Sequence, residues 1–207
     1  LDELDELSAR VGVPAAVELC PFSHDALGAR CAERGMVAGI DVSVLACADP
    51  AAMALDDDPT IVVAPIAGHE LALWQQVSAA AWEIGTEAGR RASDAYSAAA
   101  NATSAETLVL ARDAGDGRPL GCATIIVRDG IGSLAGMSTL PAERRRGVQR
   151  ALVRRRIRLA LEAGCTTAAV SAVAGGASER NLVRLGFSPV STKVTFTRPI
   201  AGERTSG

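Results

Sequence analysis

The segment from Leu140 to Leu152 has the sequence LPAERRRGVQRAL, and it decides how the rest of the chain is interpreted. An apolar strand end leads into a tight basic turn with one glycine, Gly147, and then into the first turn of a helix. A helix start binds phosphate because its first N–H groups lack partners within the helix and its dipole is positive there. Arginine suits phosphate oxygens, and glycine lets the backbone approach a ligand. The segment predicts a diphosphate-binding turn; a basic helix start that only faces solvent is the alternative.

The distribution of charge also favours a small anionic ligand. The net charge is −3, yet residues 1–60 carry twelve Asp and Glu against three Arg, whereas residues 141–160 carry eight Arg against one Glu. A protein that binds nucleic acid usually spreads its basic residues over a whole face or domain. Because the basic residues here surround one turn and the helix after it, we expect no nucleic-acid partner.

The composition indicates a cytoplasmic protein with an aliphatic core. Hydrophobic residues make up 48% of the chain but aromatic residues only 3%, so aliphatic side chains must fill the core. No uninterrupted apolar run reaches the length of about 18 residues that a membrane span needs, so no membrane partner is expected. Five scattered cysteines lack C-x-x-C spacing, which argues against a zinc site or a disulfide framework. They are Cys20, Cys31, Cys47, Cys122 and Cys165.

Hydrophobic periodicity and turn residues predict one mixed α/β domain from Ile61 onward. The predicted order is a strand, two helices, three strands, a helix, a strand, a helix and a strand. The two helices cover residues 70–96 with a break near Gly85 or Gly89, and a loop is expected over residues 97–105. In the helix over residues 147–163, Arg155 interrupts the apolar face. Ser178 is expected to cap the last helix.

Two motifs in this order resemble those of the GCN5-related N-acetyltransferase (GNAT) family. The sequence RRRGVQ at residues 144–149 is similar to the family's acetyl-CoA signature, which is Arg or Gln, two residues, Gly, one residue, then Gly or Ala. The sequence NLVRLGF at residues 181–187 is similar to the family's last helix and its LGF ending. The resemblance covers roughly residues 60–200. It implies a GNAT-like α/β fold whose central, mostly antiparallel sheet is flanked by helices.

The resemblance also implies an acetyl-CoA-dependent N-acetyltransferase that acts on a primary amine of a small molecule or peptide, without a metal. It leaves a homodimer open. Backbone amides of Arg145 to Arg150 would bind the diphosphate, and backbone groups of β-strand residues would pair with the pantetheine arm. An exposed N–H on the strand Ile131–Leu140 would stabilise the oxyanion. The implied cofactor-binding set is Met137, Ser138, Thr139, Arg144, Arg145, Arg146, Gly147, Val148, Gln149, Arg150 and Asn181.

The sequence departs from the family pattern in ways that bear on catalysis. Gln149 replaces the second Gly or Ala of the signature, and Leu182 stands where the family often has a Tyr that protonates the leaving thiolate. Asn181, the adjacent residue, either contacts the pantetheine arm or braces its helix. The catalytic residues therefore stay unknown, and a catalytically degenerate acyl-CoA-binding module is the alternative to the enzyme.

The region that forms the acceptor side in the family offers several candidate residues but no clear base. Each acidic or histidine candidate either deprotonates an amine through water or is a solvated surface group; they are His69, Glu70, Glu83 and Glu87. Trp74 and Trp82 lie eight residues apart, roughly on one helical face. They either pack in the core or line an apolar acceptor pocket.

The first fifty residues repeat a pattern found near the end of the chain. Placing Gly35 on Gly186 also places residues 15–20 on residues 166–171 and residues 37–47 on residues 188–198. We therefore expect residues 1–50 to be the back half of a second GNAT-like unit, residues 51–60 a linker and residues 61–200 a complete domain. The expected whole is a tandem GNAT protein whose N-terminal portion lies outside this sequence; a plain N-terminal extension is the alternative.

Overall fold

The fold is seen in a computed structural model that describes residues 1–11, 15–53 and 58–198 of the 207-residue chain. The chain forms two compact units. One comprises residues 46–170, and the other combines residues 1–45 with the chain from Ser171 onward. The strand that contains residues 170 and 171 belongs to both units.

The helices and strands of the described ranges follow the predicted order closely. The helices are α1 (Asp2–Val11), α2 (Leu27–Glu33), α3 (Leu71–Ala81), α4 (Glu87–Asn101), α5 (Val148–Glu162) and α6 (Ala177–Arg184). The strands are β1 (Ala16–Leu19), β2 (Val37–Cys47), β3 (Ile61–Pro65), β4 (Glu106–Asp113), β5 (Pro119–Arg128), β6 (Ile131–Thr139), β7 (Thr167–Val173) and β8 (Ser188–Thr197). The predicted mixed α/β class with a mostly antiparallel sheet is confirmed.

The unit of residues 46–170 is built on the strand order β7-β6-β5-β4-β3. Neighbouring strands are antiparallel except β6 and β7, which run parallel. A two-residue turn joins β5 to β6, and both of its residues have positive φ, +50° at Asp129 and +75° at Gly130. Such Asp-Gly turns match the twist of antiparallel strands. The turn therefore fixes the pairing register of β5 and β6. In this arrangement β6 also packs against α5.

The two faces of this sheet are covered by different helices. On β4, Val109 and Ala111 face α5, whereas Leu108 and Leu110 face α3 and α4. This alternation follows from the period of two along a strand. The α5 side is completed by Ile61, Leu120, Ala123, Val148 and Leu152. The α3 side is completed by Trp74, Val77, Ala100 and Cys122. Because both faces are covered, β4 is apolar on both sides, as its sequence ETLVLARD suggests.

The other unit contains α1, β1, α2, β2 as far as Leu45, β7 from Ser171, α6 and β8. β1 pairs with β8 in antiparallel fashion, from Ala16 opposite Thr197 to Leu19 opposite Val194. A small core of Ala15, Cys31 and Met36 is packed against Leu4 and Phe196. The element order α1-β1-α2-β2 is the same as the order α5-β7-α6-β8, as the sequence repeat predicts.

Two local expectations were wrong, the loop that begins at residue 97 and the Ser178 cap, and one open alternative is resolved in favour of Gly85. Residues 97–101 do not form a loop, because α4 continues to Asn101 and buries Ser97 and Ala100. The break between α3 and α4 includes Gly85, whereas Gly89 lies within α4 and donates its N–H to the capping Thr86 hydroxyl at 3.1 Å. Gly176, not Ser178, is the N-cap of α6. Of the predicted linker, residues 54–57 lie outside the described ranges.

Candidate functional site

The strand β6 carries a bulge. Cys122 of β5 lies opposite Ser138 and Thr124 opposite Ala135, so one residue of β5 faces two residues of β6, Gly136 and Met137. Gly136 has φ +53°, and a Cβ there would lie 3.3 Å from the Thr124 hydroxyl oxygen. Such bulges interrupt the ladder and redirect backbone groups. Gly136 is exposed, so the bulge presents its backbone to solvent.

The pairing of β6 with β7 stops short of this bulge. The parallel register runs from Ile131 opposite Thr167 to Leu134 opposite Val170, whereas β6 continues to Thr139. The predicted pantetheine-binding residues Met137, Ser138 and Thr139 therefore lie on the part of β6 beyond these pairs. Ser138 is buried, and its hydroxyl lies 3.4 Å from the Cys122 thiol. Because the Ser138 side chain is buried, only the backbone of this residue is available to bind a ligand.

The turn after β6 has an unusual backbone. A short 3₁₀ turn over Pro141–Glu143 is followed by Arg145 at φ +67° and by Gly147 at φ +84°, which is the N-cap of α5. Left-handed residues that alternate with ordinary ones turn successive N–H groups toward one side, which is the geometry of an anion-binding nest. The first turn of α5 adds its N–H groups and its dipole. The structure thus brings residues 137–139 and 144–150 together in one unit.

The side chains of this turn differ in their exposure and in the residues that they contact. Val148 is buried in the core, so only its backbone is available. Arg145 is exposed, and Gln149 is half-buried on the first turn of α5. Arg144 lies 3.4 Å from the Glu83 carboxylate. Asn181 is on α6 in the other unit, where its side-chain oxygen accepts a hydrogen bond of 3.0 Å from Arg184.

The turn is held by a cluster of four charged residues, here called the ion-pair cluster: Asp113, Arg118, Glu143 and Arg146. The buried Glu143 carboxylate accepts hydrogen bonds from both Arg118 and Arg146. Arg146 also donates to Asp113 at 2.9 Å. The Arg146 guanidinium is therefore committed to holding the turn, which leaves its backbone N–H for the predicted contact with phosphate.

The ion-pair cluster predicts acid sensitivity. The Arg118 guanidinium, with Arg146, holds the pKa of Glu143 below its ordinary value, and the Gly115 N–H and Arg146 do the same for the pKa of Asp113. Because both pKa values are lower in the folded state, this stabilisation is complete above the unfolded-state pKa of about 4 and is lost as the pH falls through the folded-state values. Glu143→Gln should lower the urea midpoint at neutral pH and flatten its decline below about pH 5.

The measurement is urea unfolding, followed by circular dichroism, at a series of pH values. Glu87→Gln is the control, since Glu87 forms an exposed ion pair with Arg91 on α4. A Glu143→Gln profile parallel to that of the wild type would contradict the assignment.

A cleft of about 480 Å³ lies beside α5, between this helix and residues 58–63. Its polar lining consists of Asp58 and four arginines, namely Arg150, Arg154, Arg155 and Arg158. The Asp58 carboxylate lies 3.9 Å from the Arg150 guanidinium, and one of its oxygens lies 3.4 Å from where a Cβ on Gly147 would be. The acidic side chain of Asp58 therefore lies next to the turn that is predicted to bind the diphosphate.

A family model described as the acetyltransferase (GNAT) family matches residues 74–187, which is more than half of the chain. The match includes the bulged strand, the turn and α5. The chain belongs to the GNAT family. Membership indicates acyl transfer from acetyl-CoA, and acetyltransferases of this family act on amine acceptors. No curated protein matches the sequence.

Solved structures of GNAT proteins share the fold at low identity. A GCN5-related N-acetyltransferase from Kribbella flavida has a TM-score of 0.72 and 22% identity, over 96% of this chain and 74% of that chain. One from Sphaerobacter thermophilus has a TM-score of 0.69 and 15% identity, over 94% and 65% of the two chains. A tandem GNAT protein from the clavulanic acid biosynthesis pathway has a TM-score of 0.63 and 12% identity, over 96% and 68%.

The predicted acceptor-side residues of this GNAT protein provide no obvious base. The Ala67 N–H, with Arg112, holds the pKa of Glu70 below its ordinary value, which makes Glu70 a poor proton acceptor at neutral pH. Glu83 pairs with Arg144, and Glu87 with Arg91 at 2.5 Å. His69 is exposed in the turn before α3.

Three further positions bear on the predicted catalytic and acceptor residues. Leu182, which stands at the position of the family tyrosine, is fully buried on α6. Trp74 is buried and donates its indole N–H to the Val109 carbonyl at 3.1 Å, whereas Trp82 is 57% exposed at the end of α3. The core-packing alternative therefore holds for Trp74 but not for Trp82, which follows the last residue of α3, Ala81.

Residues 1–11, 15–53 and 58–198 contain neither a cluster of metal ligands nor a membrane-spanning helix. Within these ranges, no group of three or more His, Cys, Asp or Glu side chains is arranged to hold a metal ion. The same residues include no helix with the length and apolar character needed to cross a membrane. All five cysteines are free thiols, and Cys20 is the exposed one.

Proposed function

We propose that this protein is an N-acetyltransferase that moves an acetyl group from acetyl-CoA to a primary amine of a small molecule or peptide. The observation that carries the proposal is the turn between β6 and α5, with its two left-handed residues and the helix start behind it. The turn adjoins the bulge that exposes Gly136, so a diphosphate and a thioester would be bound along one continuous stretch of chain.

The residues present fit acetyl-CoA. Gly147 has φ +84°, where a side chain would be strained and would face the Asp58 carboxylate at 3.4 Å. Backbone N–H groups of Arg145 to Arg150 would hold the diphosphate. Backbone groups of Met137, Ser138 and Thr139 would pair with the pantetheine arm, as an added strand does.

The chemistry requires few side chains. When bound, acetyl-CoA supplies an activated acetyl group: the amine nitrogen bonds to the thioester carbon, the carbon–sulfur bond breaks, the nitrogen loses one proton and the thiolate takes one up. A backbone N–H on the bulge of β6 would stabilise the negative charge that develops on the thioester oxygen. Because Glu70 is engaged by Arg112 and Leu182 is apolar, both protons would move through water.

A catalytically degenerate acyl-CoA-binding module is the second candidate. The buried Leu182 and the ion-paired Glu70, Glu83 and Glu87 favour it, since none of them is suited to proton transfer. Both candidates bind acetyl-CoA, so binding alone does not distinguish them.

Two measurements test the proposal in sequence. Thermal unfolding with increasing acetyl-CoA should show a rising midpoint, because a ligand of the folded state stabilises it. A thiol-release assay with a panel of amines should then show turnover on at least one of them. Binding without turnover on any amine would support the module, and no binding would contradict both candidates.

The Asp58 carboxylate should weaken the binding of the diphosphate. Its pKa is held below the ordinary value by hydrogen bonds from Thr60, so it is charged at neutral pH. Asp58→Asn keeps an oxygen for Thr60 but removes a negative charge beside Gly147. Acetyl-CoA affinity should rise about threefold to fivefold, which corresponds to roughly 1 kcal/mol at these distances in water-like surroundings.

Isothermal titration at low and high salt measures this effect, which should shrink as salt screens the charge. Asp129→Asn, in the turn at the other end of β6, is the control and should leave the affinity unchanged. Equal affinities for Asp58→Asn and the wild type at low salt would show that the carboxylate does not face the diphosphate.

We also propose that residues 1–50 are the back half of a second GNAT-like unit. The support is the repeat of helix and strand ends: α1 ends at Val11 and α5 at Glu162, and β2 begins at Val37 and β8 at Ser188. The tandem GNAT protein of the clavulanic acid pathway matches this chain over 96% of its length. Mass spectrometry of the natural protein tests the expectation that this unit belongs to a larger tandem protein. A mass equal to that of these 207 residues would contradict that expectation.

A further inference from the structure

Arg156 is a buried cation. It is 0% exposed on α5, whereas Arg155 next to it is partly exposed and pairs with Glu162. Among the described residues, no carboxylate forms an ion pair with Arg156. Burial lowers its pKa to about 9, so the guanidinium is still charged at neutral pH. A buried charge without a counter-ion carries a desolvation cost that an apolar side chain in the same place would not. The buried guanidinium of Arg156 therefore indicates a specific role for this residue.

The donors of Arg156 converge on the bulge of β6. One terminal nitrogen donates to the carbonyls of Thr124 and Ala135, both at 3.1 Å, and the other lies 2.9 Å from the Met137 sulfur. The Nε–H donates to the Leu152 carbonyl, one helical turn back, at 3.1 Å. Thr124 and Ala135 face each other at the edge of the register shift. The guanidinium thus joins α5 to the interrupted part of the ladder.

The contact with Ala135 determines the direction of the next N–H group. The Ala135 carbonyl and the Gly136 N–H belong to one trans peptide, in which the two bonds point in opposite directions. Because the carbonyl is turned toward the buried guanidinium, the Gly136 N–H is turned away from it. Gly136 is exposed, which agrees with this direction. A cation bound to the carbonyl also polarises the peptide and makes its N–H a stronger donor.

We propose that Arg156 is a positioning residue that fixes and polarises the Ala135–Gly136 peptide, so that the Gly136 N–H stabilises the negative charge on the thioester oxygen. The inference rests on the proposed function and deepens it, because it identifies the amide that would receive this charge and the side chain that orients it. Arg156 itself does not touch the substrate. Its charge acts through one peptide unit.

The test replaces Arg156 with methionine, which has similar bulk and no charge. Acetyl-CoA labelled at the thioester carbonyl is bound to the protein, and the carbonyl stretching frequency is measured by infrared difference spectroscopy. The frequency should rise in Arg156→Met because the hydrogen bond to the oxygen weakens. The kcat should fall about 10-fold to 100-fold, somewhat less than for complete loss of an oxyanion donor. The Kd for CoA without an acetyl group should remain at its wild-type value.

Arg155→Met is the matched control on the same helix and should leave the frequency and kcat unchanged. If Arg156→Met does not fold, Arg156→Lys provides the test: a compact ammonium cannot reach both carbonyls and Met137 at once, so the frequency should rise by a smaller amount. A wild-type frequency in either folded variant overturns the inference. If the wild-type protein does not bind acetyl-CoA, it is the proposed function that fails, and this result is distinct from an unchanged frequency.

Discussion

Replacing Gly147 with valine is expected to weaken acetyl-CoA binding about 100-fold, because the loss of about two charge-assisted hydrogen bonds corresponds to roughly 3 kcal/mol. Gly147 has φ +84° at the N-cap of α5, and a Cβ would lie 3.4 Å from the Asp58 carboxylate and 3.7 Å from Arg150. A β-branched residue disfavours this left-handed conformation. The turn would therefore change shape where its N–H groups should meet the diphosphate.

The other end of the same helix offers a matched control. Gly164 follows α5 with φ +79°, and a Cβ there would meet nothing within 4 Å. Gly164→Val imposes similar backbone strain, so both variants should lose similar stability, but only Gly147→Val should lose affinity in isothermal titration. Equal loss of affinity in the two variants would show that strain alone is responsible. Wild-type affinity in Gly147→Val would remove the diphosphate site from this turn.

Much of the fold could be predicted because its signals are local. The β-hairpins have their own turn residues, and the start of α5 is marked by a basic turn and a glycine whose φ is indeed positive. The repeat aligned residues 37–47 with residues 188–198, and the strands β2 (Val37–Cys47) and β8 (Ser188–Thr197) match these limits to within one residue. The GNAT assignment rested on two such local motifs, and the family match confirms it.

The interactions that hold the site in place could not be predicted, because they join residues that are far apart in sequence. In the sequence, Glu143 is an ordinary turn residue, and only the fold places Arg118 of the β4–β5 hairpin beside it. The bulge at Gly136 depends on the register with β5, which no pattern within β6 reveals. The helical pattern singled out Arg155 on the apolar face, yet Arg156 is the arginine that is buried. Adjacent residues on a helix lie about 100° apart, and the apolar pattern did not fix the rotation of α5 closely enough to separate them.

Truncating Trp74 to alanine is expected to lower the free energy of unfolding by about 3–5 kcal/mol, the range for large aromatic residues in well-packed cores. Trp74 is 2% exposed and packs with the α3-side core over β4 and β5. Its indole N–H also satisfies the Val109 carbonyl, which truncation would leave without that donor. Trp82→Ala is the matched control on the same segment, and it should change stability by no more than about 1 kcal/mol because this side chain is exposed. Urea unfolding followed by circular dichroism measures both.

The variant Trp74→Phe separates packing from hydrogen bonding. Phenylalanine retains much of the apolar volume but has no N–H, so its loss of about 1–3 kcal/mol would largely reflect the unsatisfied Val109 carbonyl. Trp74 packs on the α3 side of β4, whereas Val148 of the proposed diphosphate turn packs on the α5 side. Trp74→Phe should therefore keep wild-type affinity for acetyl-CoA despite its lower stability. A parallel loss of affinity would mean that Trp74 lines an acceptor or cofactor pocket, which its burial and its bond to Val109 argue against.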